Sequence, residues 1–440
     1  MAGLALLDAR IFASLRRHRN YRLYFGGQLI SQVGTWLQNA AQAWLVLDLS
    51  HSAASVGWLG FCLYTPFAVF GLLGGALADR VDRQRMMVLT QTAMALCAVA
   101  LAVVTYLHVD SVAAIDAIAV LRGTIQAFNN PSRQALMVQL VGRSELPNAI
   151  ALNSGLNNAT RIVGPAIAGV LIATVGVAAC FALNALSFVA VILALFAMRP
   201  AEFHEALVRT RGPLFRSIAD GLVYARRTKT VAVVLSMLFV VATVGINFQV
   251  VLPILARTTL HGDAQTYGFI TATFGLGALA GAIVVASRAR ASRTVLLLAA
   301  SGFGLAQLLV STQRSAVGVA LALFVTGVCY SLYTASSNAI VQLAVPAHVQ
   351  GRIAGLYNYV FLASGPVGSL LAGWIAERGG APLTFVAGGV SALLMALAGF
   401  ALRPWPMPTG TVKPRRRPPR VSRSSALNEI SPGGGPSSQG

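Results

Sequence analysis

Apolar runs of about 20 residues recur along most of this chain, and a run of that length crosses a bilayer as a helix. Charged residues make up 10% of the 440 residues, against about 25% in a soluble globular domain. Most of the chain therefore cannot face water. Spans are expected to start near Tyr24, Ser55, Met86, Val112, Asn148 and Val177, and again near Val231, Tyr267, Thr294, Val317, Ile353 and Pro382. The first run has no small-residue cleavage site behind it, so no removable signal peptide is expected.

The formal net charge of +20 would suggest nucleic acid in a soluble protein, but its placement argues otherwise. Basic residues crowd the N-terminal arm (Arg10, Arg16, Arg17, Arg19, Arg22) and alternate loops: Arg80, Arg83 and Arg85; Arg133 and Arg143; 199–229; and Arg288, Arg290 and Arg293. The intervening loops hold only Arg257, Arg314 and Arg378. This alternation follows the positive-inside rule, places both termini in the cytoplasm and requires an even number of spans. Cys62, Cys97, Cys180 and Cys329 are scattered through apolar segments, which implies packing rather than a disulfide or a metal site.

Five regions follow: a cytoplasmic arm (1–22), six helices (23–198), a cytoplasmic linker (199–230), six more helices (231–403) and a tail (404–440). In the linker, Leu214, Ile218 and Leu222 repeat every four residues. That spacing predicts an amphipathic helix, lying on the inner leaflet or packed on the protein's own cytoplasmic ends. The tail is rich in Pro, Arg, Ser and Gly and has too little apolar surface to fold alone. A weak internal repeat links the halves. Val138-Gln139-Leu140 recurs as Val341-Gln342-Leu343, and Gly164-Pro165 as Gly365-Pro366. Duplication of a six-helix unit produces such pairs.

A polar side chain facing lipid is costly, so polar residues at helical spacing mark faces turned to protein or water. Helix one carries Gln28, Gln32, Thr35, Asn39 and Gln42; helix four carries Arg122, Gln126, Asn129 and Arg133. Helix seven has Ser236, Thr243 and Asn247, and helix ten has Tyr330, Thr334, Ser337 and Gln342 with Asn338 beside them. Helices three, six, nine and twelve are nearly all apolar. The pattern predicts four helices lining a central cavity and four facing lipid. Two arginines are expected deep in the membrane: Arg122, and Arg161 on a face with Asn153 and Asn157. Arginine stays charged, so each meets either an anionic or polar group of a substrate, or a fixed acid or helix-end carbonyl. The acids on hand are Asp116 and Asp48. Gly164-Pro165 is expected to interrupt helix five, and Gly365-Pro366 helix eleven.

The loop after helix two reads Gly75-Ala-Leu-Ala-Asp79-Arg80-Val-Asp82-Arg83-Gln-Arg85. This resembles the loop signature of the major facilitator superfamily. Other stretches resemble its drug and siderophore exporter branch, among them Asn130-Pro131-Ser132-Arg133-Gln134, 146–154 and Arg161-Ile162-Val163-Gly164-Pro165. The resemblance covers roughly residues 15–400. It implies an all-α membrane protein with the major facilitator fold, twelve helices in two bundles of six. It also implies that Gly75, Asp79, Arg80 and Arg83 latch the halves, and it suggests export driven by the proton gradient. Arg122 matches the superfamily's helix-four arginine motif only in part, and the second-half copy of the loop signature lacks its Asp. Expected partners are a small-molecule substrate, membrane lipid and protons, with Asp48 and Asp116 as candidates for coupling. No nucleic acid and no cofactor is expected, and the chain is expected to work as a monomer. No nucleophile with a base and no nucleotide-binding Gly-x-x-x-x-Gly-Lys loop is read in the sequence, which argues against an enzyme and against ATP as the direct energy source.

Overall fold

The computed structural model describes residues 13–78, 81–204, 223–224, 227–287 and 292–402, with the backbone alone at 72–78, 286–287 and 347–348. Asp79, Arg80, the linker repeat at 214–222 and the tail from 404 lie outside the described residues, and Gly75 lies in a backbone-only stretch.

Among the described residues, nine helices are long and apolar enough to cross a membrane. Two of them each hold two spans, because Val112–Thr174 breaks at Gly142 (φ 69°) and Ala347–Ala401 breaks at Gly380 (φ 72°). A residue with a Cβ is strained at such positive φ, so glycine makes both bends. The twelfth span is Arg19–Ser50, which is too polar to stand out by hydropathy. In chain order the spans are α1 (Arg19–Ser50), α2 (Ala53–Ala78), α3 (Arg83–Tyr106), α4 (112–141), α5 (143–174) and α6 (Val177–Phe196). The second half has α7 (Lys229–Thr259), α8 (Ala264–Ser287), α9 (Arg293–Thr312), α10 (Ala316–Leu343), α11 (347–379) and α12 (381–401). The expected starts are close to these. The largest offsets, at α1, α5 and α11, arise because those helices begin earlier, in polar residues. The repeated Val-Gln-Leu triplets fall in matching places, just before the Gly142 bend and at the end of α10.

Short caps explain several helix starts. Asp82 Oδ1 accepts from Arg85 N at 2.9 Å to open α3, and Ser111, Ser292 and Ser315 do the same for α4, α9 and α10. Helix α1 tolerates its polar content because it packs against α4 and α5 on one side and α6 on the other. Asn20, Gln28, Ser31, Gln38 and Gln42 are all buried there. Gly27 packs against Val191 and Ala194, and Gly34 against Asn184 and Ser187, so α6 lies close along α1.

The two halves meet along two seams. At one, a Cβ on Gly57 of α2 would lie 2.6 Å from Ser369 O and 2.8 Å from Gly373 Cα of α11. At the other, a Cβ on Gly169 of α5 would lie 3.0 Å from Gly268 Cα of α8. Only glycine permits helices to approach so closely. These contacts lie at the end of the bundle where α1 finishes and α2 begins, termed distal here; the end bearing the start of α1 is basal. Farther down the same helices, Cβ atoms on Gly71, Gly155 and Gly355 would meet nothing within 4 Å. Gly355 lies about five helical turns before Gly373 and so on the same face. The seams are closed distally and parted basally.

Polar links across the halves reinforce the closed part. Arg257 Nη2 of α7 pairs with Asp48 Oδ1 of α1 at 2.9 Å. Glu377 Oε2 of α11 accepts from Ser52 Oγ and from the Ala54 N–H, each at 3.0 Å, and thereby caps α2 from the other half. Deeper, Tyr64 OH donates to Gln249 Oε1 at 2.7 Å.

Candidate functional site

The polar stripes divide once the helices pack. On α1, Gln32, Thr35 and Asn39 are half-buried; Gln32 Nε2 donates to Asn157 Oδ1 of α5 at 2.7 Å, whereas the Thr35 hydroxyl donates to Ser31 O of its own helix. On α10, Tyr330, Thr334 and Asn338 recur every four residues on one half-buried face. Asn338 Oδ1 accepts from Gln342 at 2.8 Å, whereas the Thr334 hydroxyl bonds its own helix at Tyr330 O. Asn247 sits where α7 is interrupted, between Lys229–Gly245 and Phe248–Ile254, and its Nδ2 donates to Thr243 O at 2.8 Å. Gln126 of α4 is half-buried.

Arg122 corrects the sequence reading. Its residue is only 4% exposed. Its guanidinium donates to Gln42 Oε1 at 2.6 Å and Asn39 Oδ1 at 2.8 Å. Gln38, which Asn184 of α6 also engages, brings its amide beside the same group. The partners are therefore neutral amides of α1, neither an acid nor open space. Asp116 does not pair with Arg122, because six residues on one helix turn the two side chains about 240° apart. Asp116 is buried, with Oδ1 lacking a hydrogen-bond partner among the described residues. Gln28 is likewise packed away and does not line the interior. Asp48 lies exposed at the distal rim in its pair with Arg257.

The Gly-Pro pairs correct a second expectation. Helical dihedrals run unbroken through Gly164-Pro165 and Gly365-Pro366; the breaks fall at Gly142 and Gly380 instead. The glycines serve close packing: Gly164 lies against Trp36 and Leu37 of α1, and Gly365 faces the Tyr64 ring. Pro165 does leave one mark, since it has no N–H for the carbonyl of Arg161 one turn earlier.

Arg161 lies at the centre. Its Cζ is 5.6 Å from the Trp36 ring centroid, 5.3 Å from Phe274 and 5.2 Å from Tyr330. Trp36 comes from the first half and the other two rings from the second. Among the described residues no carboxylate pairs with it, which excludes the fixed acid pair considered above. Phe248 of α7 extends the aromatic cluster, with its ring 4.2 Å from Phe274. On the distal side of Arg161, a cavity of about 30 Å³ among Trp36, Asn39, Phe248, Gln249 and Tyr267 has room for little more than a water molecule. Trp44 stacks on Tyr267 beyond it, which completes a distal plug.

The sequence reading missed Trp36, Tyr64, Gln249, Phe248 and Phe274. The stripes rest on polar residues at helical spacing, and these residues fall outside them. One signal was present: Trp36 follows Gln32 by four residues and so shares its face.

Among the described residues, twelve spanning helices in two sixes, packed across glycine seams around one polar and aromatic centre, form the major facilitator fold. The chain belongs to the transmembrane secretion effector family of that superfamily, whose profile matches residues 9–428. It is 26% identical over 385 residues to the multidrug efflux pump Tap of Mycolicibacterium fortuitum, covering 85% of this chain and 93% of that one. It is also 26% identical over 267 residues to the staphyloferrin A transporter of Staphylococcus aureus, covering 60% of this chain and 66% of that one. The crystal structure of the nucleoside transporter NupG superposes with a TM-score of 0.70 at 12% identity, over 87% of this chain and 98% of that one, a likeness of fold alone.

Proposed function

We propose that this protein is a secondary active exporter in the bacterial inner membrane that moves a small amphipathic or anionic organic compound by alternating access. The observation that carries the reading is the asymmetry of the seams. Gly57 and Gly169 touch the opposite half distally, whereas Gly71, Gly155 and Gly355 face open space basally. Such a shape is one of two states a rocking carrier needs, with Gln32, Asn157, Arg161, Asn247, Gln249, Tyr330, Thr334 and Asn338 at the pivot. The chain divides into the two bundles 23–198 and 231–403, with the arm, linker and tail in the cytoplasm. The alternating arginines support a cytoplasmic basal end. The substrate therefore enters from the cytoplasm and leaves through the distal plug. Gly75, Asp79, Arg80 and Arg83 latch the basal end when it closes.

Proton antiport supplies the energy, and Asp116 is the candidate carrier. A proton-coupled transporter needs a titratable group that water reaches in only one state, and Asp116 is a carboxylate buried within a span. Asp48 serves as a distal latch through Arg257. The test is uptake of labelled compounds into proteoliposomes under an imposed pH gradient. Gradient-dependent flux that Asp116→Asn reduces supports the proposal, and unchanged flux removes Asp116 from the coupling step. Accumulation in the direction opposite to export would mark an uptake permease instead.

A further inference from the structure

We infer that Arg161 and its ring of aromatic side chains form an anion-selective recognition site for an aryl compound bearing one oxyanion group. The inference rests on the transport reading and narrows its substrate class. A guanidinium presents five N–H donors in its plane and stays charged. Here its described neighbours are the faces of Trp36, Phe274 and Tyr330, all within 5.2–5.6 Å. Rings attract the cation through their quadrupoles, but they accept no in-plane hydrogen bond and cancel no charge. Arg122 is the contrast within the same bundle. Its donors are met by Gln42 and Asn39, and it is buried. Arg161 is half-buried and accessible.

An oxyanion in the plane of the guanidinium would make charge-assisted, bidentate hydrogen bonds. The aryl body attached to it would lie against Trp36 and Tyr330, the half-buried rings of the cage, with Phe274 buried behind them. One turn towards the basal end, the Gln32–Asn157 amide pair offers polar contact for the rest of the molecule. Because the cage draws Trp36 and Arg161 from one half and Phe274 and Tyr330 from the other, a bound ligand touches both bundles. A ligand can shift a two-state equilibrium only through such differential contacts. A cationic compound would instead meet a fixed like charge. The basic loops favour the same sign of ligand, because the chain carries 33 Lys and Arg against 13 Asp and Glu.

The experiment is equilibrium dialysis of the full chain in lipid nanodiscs against 2-naphthoate, 2-naphthamide and 2-naphthylmethylammonium, which share one aromatic body. Naphthoate should bind about tenfold to a hundredfold more tightly than naphthamide, with the ammonium compound weakest. Arg161→Gln should abolish the carboxylate-over-amide ratio. Tyr330→Leu should weaken both compounds while keeping the ratio, and naphthamide binding retained by Arg161→Gln excludes a folding defect in that variant. Equal binding of the three probes, no binding of any, a preference for the cation, or an unchanged ratio in Arg161→Gln would each overturn the inference. A failed efflux assay with the binding ratio intact would overturn only the transport reading. Efflux of uncharged compounds without the ratio would overturn only the anion site.

Discussion

Replacing Gly57 with alanine should destabilise the distal-closed state selectively. The added Cβ would lie 2.6 Å from Ser369 O and 2.8 Å from Gly373 Cα, both backbone atoms of α11 that cannot rotate away. Overpacking of this kind costs about 1–3 kcal/mol. The cost exists only while α2 and α11 touch, so a state in which they part distally escapes it. The ratio of distal-closed to distal-open molecules should therefore fall about 5- to 150-fold. The four native cysteines, three buried and one half-buried, would first be replaced so that labels attach only at introduced thiols. Spin labels would then be placed at Val109, which is 63% exposed, and at Ser315, the cap of α10 at the distal end of the second half. Pulsed dipolar spectroscopy should show a longer-distance population that grows in Gly57→Ala. Gly169→Ala should act in the same direction at the α5–α8 seam. An unchanged distance distribution, or a shift to the shorter distance, would refute the argument that these glycines hold the distal end shut.

Arg122→Ala should lower the melting temperature in detergent through a loss of about 2–3 kcal/mol, because the buried Gln42 oxygen and the half-buried Asn39 oxygen lose their donor. Lost transport at full stability would mark Arg122 as a substrate contact instead. The Asp48–Arg257 pair is roughly half exposed on both sides. A double-mutant cycle should give less than about 1 kcal/mol of coupling, falling further with salt; a larger value would mean the pair is shielded from water. His18, just before α1, is held below its ordinary pKa of 6.5, first by burial and then by His204, with Glu145 pulling the other way. The folded state therefore binds the proton less readily than the unfolded one. Its stabilising contribution is present above pH 6.5 and is lost as pH falls below it. Amide exchange over residues 14–22, corrected for intrinsic pH dependence, should quicken on acidification, and His18→Gln should flatten that response.

Much of this architecture was legible because lipid leaves few choices. Apolar length gave the spans, and the stripes on α1 and α10 identified helices that face protein. Two things were hidden. The partners of Arg122 depend on how α1 turns against α4, and one helix face can serve either a neighbour or a cavity. Gln32 and Gln42 look alike in a list of polar positions, yet Gln32 meets Asn157 in the half-buried interior while Gln42 closes on Arg122. The aromatic cage was hidden for a different reason. Phe274 and Trp36 are ordinary span residues until folding brings a charge between them. Gly164-Pro165 signalled an interruption by composition, but helical dihedrals continue through it, and Gly164 serves close packing against α1 instead.

The interruption in α7 has a mechanical consequence. Between Gly245 and Phe248 the regular ladder of the helix is already open, and the Asn247 amide occupies the freed Thr243 carbonyl. Below that point α7 belongs to a stiff rod; above it, Phe248 to Thr259 forms a separate short segment bearing Arg257 and part of the plug. A hinge normally has to tear main-chain bonds before it can turn. At this point the helix ladder is already open, so a turn here is opposed by the buried side chains of 248–256 and by the Asp48–Arg257 pair rather than by the main chain.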